Sequence, residues 1–212
     1  MPIDNRTATQ AWLRPGSMSG AIWNMRVQMV RENLESIPEF ALPAGFALRW
    51  YRPGDEAHWR RIHLLADRDN EITPDLFGQR FGCDCALLAR RQSYLLDGGG
   101  EAIGTGTAWF NDNFEGARFG RVHYVAIVPE HQGRGLSRPL MTAICQRLRE
   151  LGHDRAYLTT ATTRMPAIKV YLRFGFVPLA RSEEEAAAWR GVCPQRPEAR
   201  VGLPLFGKVQ NF

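Results

Sequence analysis

The sequence predicts a mixed α/β (α+β) domain, a central sheet flanked by helices, and three local patterns predict it. An apolar strand, a glycine-bearing loop and an amphipathic run follow one another without a break between residues 121 and 151. Two strand-like stretches flank Gly98-Gly99-Gly100 as a hairpin, so that part of the sheet is antiparallel. Extended and helical periodicities then alternate as far as Trp189.

Residues 1–40 read as an N-terminal extension of unknown role, with a short helix over residues 25–34, and the main domain is expected over residues 41–212. Pro38, Pro43 and Gly45 punctuate the entry to it. Residues 46–51 alternate as a first strand, and Arg52-Pro53-Gly54 turns it. Asp55 is placed to cap a helix carrying Trp59, Ile62, His63 and Ala66 at helical spacing. A polar loop over residues 67–73 follows, and Pro74 opens a second short helix that runs toward Phe81. Residues 93–97 and 102–110 are the hairpin strands, residues 111–116 a turn-rich loop, and residues 121–128 the fourth strand. Gly152 ends the next helix, and residues 156–160 form a fifth strand. Thr163 is placed to cap a helix with Ala167, Val170, Tyr171 and Phe174 on one face, ended by Gly175. Phe176 and Val177 continue as a strand, the acidic turn at Ser182 starts a last helix, and residues 199–205 supply a final strand.

The fourth strand organises the rest. Val122, Val125, Ile127 and Val128 favour extended backbone, and Pro129 ends the ladder because it has no N–H to donate. Gln132-Gly133-Arg134-Gly135-Leu136-Ser137 then feeds a helix with apolar residues at Leu136, Leu140, Ile144, Leu148 and Leu151. Glycines let the main chain approach a ligand closely, and a helix start presents unpaired N–H groups and about half a positive charge. The combination is an anion cradle, most naturally for phosphate. Neither the dinucleotide pattern Gly-x-Gly-x-x-Gly nor the P-loop pattern is present.

Composition narrows the partners. No run approaches the ~18 apolar residues of a membrane span, and residues 1–19 lack the apolar core of a signal peptide, so a cytoplasmic location is expected. Cys83, Cys85, Cys145 and Cys193 form no disulfide framework, and Cys83-Asp84-Cys85 has no second ligand pair, so no metal is expected. The net charge of +5 is spread along the chain rather than gathered in a block, which suits a polyanionic cofactor better than nucleic acid.

The glycine loop resembles the Gln/Arg-x-x-Gly-x-Gly/Ala signature of the GNAT superfamily of acyl-CoA-dependent N-acyltransferases, with Gln132 and Gly135 in place and Ser137 where that family has Gly or Ala. A second stretch, Ala167-Ile168-Lys169-Val170-Tyr171-Leu172-Arg173-Phe174-Gly175-Phe176, resembles the family's Ala-Ile-x-x-Tyr-x-x-x-Gly-Phe element. The likeness covers residues 46 to about 180. It implies a mostly antiparallel sheet, splayed between the fourth and fifth strands where CoA binds.

Several roles are implied by that resemblance. Main-chain groups of Val125, Ala126 and Ile127 would hold the pantetheine arm, and Gly133, Arg134, Gly135, Leu136, Ser137 and Arg138 would surround the pyrophosphate. Arg134 and Arg138 read equally well as solvated surface arginines. Tyr171 aligns with the tyrosine that protonates the departing thiolate in many relatives; from the residues alone it is also a core tyrosine. An amine must be neutral to attack, so a base helps. His123, four residues before Ile127 and so on the face of Val125 and Ile127 by alternation, is one candidate, and Glu71 in the loop between the first helices is the other. Arg164 stands seven residues before Tyr171, where the family commonly has a cofactor-contacting Asn; it either takes over a polar contact or leaves it absent. The function so implied is transfer of acetyl from acetyl-CoA to a primary amine, of a small molecule, by direct attack in a ternary complex, in a monomer or homodimer. A protein N-terminal or lysine acetyltransferase and a non-catalytic CoA-binding regulatory module are the alternatives.

Overall fold

The computed structural model describes residues 24–192 and 200–201. In chain order the elements are β1 (Arg26–Arg31), β2 (Ala47–Trp50), α1 (Glu56–Ala66), α2 (Leu76–Phe81), α3 (Cys85–Ala89), β3 (Gln92–Leu96), β4 (Ala102–Phe114), β5 (Ala117–Ile127), α4 (Ser137–Glu150), β6 (Ala156–Ala161), α5 (Met165–Arg173), β7 (Val177–Ala180), α6 (Glu183–Val192) and β8 (Arg200–Val201). One sheet runs in the order β2-β3-β4-β5-β6-β1-β7-β8. Pairing is antiparallel except at β5–β6 and β7–β8.

The helix expected over residues 25–34 is instead β1. Helical propensity there is overridden by two waiting partners: β1 pairs with β6 over six positions and with β7 over three. Val27, Met29 and Val30 are all but fully buried as a result. The part of the expected 1–40 extension from Arg26 to Arg31 is thus an interior strand of the sheet. Of the final strand expected over residues 199–205, Arg200 and Val201 form β8, and the rest lies outside the described residues, as does Cys193.

Three local expectations change for identifiable reasons. Asp55 is at the start of α1 but makes no cap; its carboxylate takes the Arg49 guanidinium at 2.5 and 2.8 Å and the Arg52 N–H at 2.7 Å. Arg164, not Thr163, occupies the cap position of α5, and the Thr163 hydroxyl turns to Asn24. The loop expected over residues 111–116 is mostly strand, because the two-residue turn at Glu115 and Gly116, both at positive φ, lets β4 and β5 stay paired to their ends. The short helix α3, not expected from the sequence, is capped by Asp84, which accepts from Leu87 N–H at 2.9 Å.

Candidate active site

The site begins with a defect in one strand. Thr105 pairs with Ala126 and Thr107 with His123, so Tyr124 and Val125 together face Gly106 alone. Tyr124 absorbs the extra residue at φ 48°. A β-bulge of this kind bends a strand and re-aims its side chains. Here it undoes the alternation that would put His123 beside Val125. The His123 ring meets Phe81 of α2 at 5.6 Å, whereas Val125 lies with Ile144 of α4 over Gly106. A Cβ at Gly106 would collide with Ile144 Cδ1, so glycine is what lets α4 sit close against the sheet.

Past the bulge the sheet opens. Parallel pairing of β5 and β6 starts at Gly120↔Ala156 and stops at Val122↔Leu158, although β5 continues to Ile127 and β6 to Ala161. The diverging edge of Val125, Ala126 and Ile127 is the splay expected between the fourth and fifth strands counted from Phe46. Gln132 Nε2 donates to the Ile127 carbonyl at 2.7 Å and ties the glycine loop to the strand end. Gly133 and Gly135 take φ of 74° and 77°, with nothing within 4 Å of where a Cβ would stand. The main-chain N–H groups from Gly133 to Ser137 donate to no protein acceptor among the described residues, and α4 starts without a side-chain cap. Buried Leu136 and Leu140 anchor that helix start, while Arg134 and Arg138 are exposed beside it. An open, unsatisfied N–H cradle at a helix start, adjoining a strand edge with no partner, fits a pyrophosphate and its extended arm.

Tyr171 stands on the opposite arm of the opening, half-buried on α5, and its hydroxyl bonds to none of the described residues. Burial pushes its phenol up to about 12. The residue buried on α5 is Ile168, with Phe174 just beyond the helix, so the deeply packed face is turned from the one expected and Tyr171 sits at its edge. His123 is held well below the usual imidazole range, first by burial and then by Arg121, Arg80, His63 and Arg26. Glu71 is exposed in the loop after α1. Arg164 is committed elsewhere: it pairs with Asp67 at 2.7 Å and Asp69 at 3.0 Å, joining the start of α5 to that same loop.

Sequence reasoning passed over His63. It is buried between Trp59 and Tyr124, at ring distances of 4.3 and 5.2 Å, and neither ring nitrogen has a hydrogen-bond partner among the described residues. Burial pushes it down to about 4. Nothing in its helical spacing signalled the bulge it faces. The close Gly104 and Gly106 pair inside a strand was the available sign of a tight backbone approach.

A sequence model described as the acetyltransferase (GNAT) family matches residues 47–176. A mycothiol acetyltransferase of Pseudarthrobacter chlorophenolicus is 31% identical over 73% of this chain and 49% of its own length, and one of Salinispora tropica is 32% identical over 73% and 51%. The chain spans about half the length of these curated relatives. Among solved structures, a GCN5-related N-acetyltransferase from Sphaerobacter thermophilus superposes with a TM-score of 0.56 at 19% identity, over 72% of this chain and 48% of that one, a likeness of fold.

Proposed function

The chain belongs to the GNAT acetyltransferase family, and from that premise we propose that it moves acetyl from acetyl-CoA to a primary amine of a small molecule by direct attack in a ternary complex. The observation that carries the reading is the row of unsatisfied N–H groups from Gly133 to Ser137 beside the opening between β5 and β6. The mycothiol acetyltransferases among its relatives favour a small-molecule acceptor over a protein one.

Bound acetyl-CoA supplies an acetyl group already activated as a thioester. The N–H groups of the glycine loop hold the pyrophosphate, Arg134 and Arg138 add charge, and the main chain of Val125 to Ile127 aligns the arm. Tyr171 gives its proton to the departing sulfur. A phenol near 12 donating to a thiolate near 8.5 runs uphill by about 5 kcal/mol, a gap that narrows because the same dry cleft raises the thiol. An amine like that of lysine pays about 4.6 kcal/mol to be neutral at pH 7. Burial leaves His123 neutral but also a weaker base than a free imidazole, so its part is to pass that proton through water toward solvent, with exposed Glu71 as the alternative acceptor.

The test is a panel of primary amines, an N-terminal peptide and a lysine peptide with acetyl-CoA, followed by thiol release. Acetylation of small amines is expected. Turnover confined to the peptides would move the reading to protein acetylation. Tight acetyl-CoA binding without any transfer would leave a CoA-binding regulatory module.

A further inference from the structure

Gln28 and Thr159 stand directly opposite in the β1–β6 register, and an antiparallel pair shows both side chains on one face. Tyr157 shares that face by alternation, and the Arg121 guanidinium of β5 lies 5.5 Å over its ring. His123 follows two residues on, just before the bulge, and its contact with Phe81 brings the end of α2, with Arg80, to the same place. Arg26 precedes Gln28 by two residues on β1 and falls on the same face. Three arginines from three elements thus gather where β5 and β6 part.

Their neighbourhood is unbalanced. Arg26, Arg80 and Arg121 form no ion pair among the described residues. Burial first, and then Arg26 and Arg80, make the Arg121 guanidinium hold its proton less tightly; Tyr157 and Tyr124 act the other way, and no carboxylate is among these neighbours. The Arg121 Nε, Thr159 Oγ1 and Gln28 Oε1 atoms are all buried without a hydrogen-bond partner among the described residues. Leaving such a group unanswered is costly, and most of all for the charged one. The guanidinium and the hydroxyl are both donors, so an anionic oxygen group is the chemistry that would answer them.

The geometry points to an anion subsite on the acceptor side of the cleft, where Arg121, flanked by Arg26 and Arg80, holds a carboxylate or phosphate of the acceptor and the Thr159 hydroxyl donates to it. Amines that carry such a group are therefore the preferred acceptors. This deepens the acetyl-transfer reading and rests on it for the amine, though not for the anion. A guanidinium suits either group because its planar fork bonds two oxygens at once.

The experiment uses matched amines: 4-aminobutyrate against its carboxamide, and phosphoethanolamine against ethanolamine. Each is titrated calorimetrically into the CoA complex and also assayed for acetylation. At least one anionic member should bind tenfold or more tightly than its neutral twin, and which pair shows the gap tells carboxylate from phosphate. Arg121→Gln should erase that gap, with retained CoA affinity reporting a sound fold. Arg26→Gln and Arg80→Gln, at exposed side chains, should each narrow it severalfold even if Arg121→Gln fails to fold. Neutral twins that match the anionic ones, or a preference that survives in all three variants, would overturn the subsite. Anionic amines that bind but are never acetylated would leave the subsite standing and remove the transfer reading instead.

Discussion

The cleft has two sides made in different ways. The cradle from Ile127 to Arg138 is built from main-chain N–H groups, two positive-φ glycines and a helix start, all within a dozen consecutive residues. The opposite face takes Arg121, Thr159, Gln28 and Arg80 from four elements and depends on side chains. A site made of backbone must leave its conformational demands in the local sequence, whereas a site made of side chains needs only the right register. The first kind is broken by changing shape, the second by changing charge.

That contrast sets the order of expected effects. Gly135→Val should weaken CoA binding at least a thousandfold by calorimetry, because a branched residue resists φ near 77° and fills the space in front of the N–H groups. Unchanged affinity in a folded variant would remove the cradle assignment.

The histidines give the next effect, on stability rather than binding. His63 and His153 are held at about 4 in the folded chain, chiefly by burial, against about 6.5 unfolded. The unfolded chain therefore binds more protons between these values. Their contribution is complete above pH 6.5 and is lost as pH falls toward 4, up to about 3 kcal/mol for His63 and less for His153. Denaturant midpoints measured from pH 7 to 4 should fall steeply, and His63→Phe should flatten the slope. A flat wild-type profile would contradict this account. For the same reason His123, held far below its ordinary value, puts no limb near pH 6 to 7 in the rate profile, contrary to what an unperturbed imidazole would give.

Tyr171→Phe keeps the ring and removes the hydroxyl that gives the proton, so kcat should drop roughly a hundredfold, ~2.7 kcal/mol, with CoA affinity kept. Loss of affinity without loss of kcat would make Tyr171 a packing residue.

The smallest effect tests Arg164. Its ion pairs with Asp67 and Asp69 are partly exposed and are worth about 0.2–1 kcal/mol each. Arg164→Gln should change CoA affinity less than threefold, and a tenfold loss would restore the cofactor contact expected by position.

Legibility followed the same division. The strand, glycine loop and α4, the hairpin at Gly98 to Gly100 and the α5 stretch ending at Gly175 were readable because each is specified within a few residues. The bulge at Tyr124 was not, since nothing in Val122-His123-Tyr124-Val125 marks where one strand gains a residue on its partner. His123 was thereby assigned the wrong neighbours. β1 was misread because a six-residue stretch with Val27, Met29 and Val30 satisfies either period, and only its distant partners decide.

Those partners are far away along the chain. The Met25 N–H bonds to the Thr162 hydroxyl 137 positions later, and β1 is enclosed by strands on both sides of α5. During synthesis β1, with Val27, Met29 and Val30 to bury, precedes both of its partners, and its two edges stay bare until β6 and β7 have followed. The β2–β5 arm can assemble from neighbouring strands while β1 waits, so the enzyme should fold in two unequal stages with a slow closing step set by this long separation. Co-expressed chaperone, which shields an unpaired edge, should raise the yield of this chain more than it raises that of a variant circularly permuted to place β1 after β7.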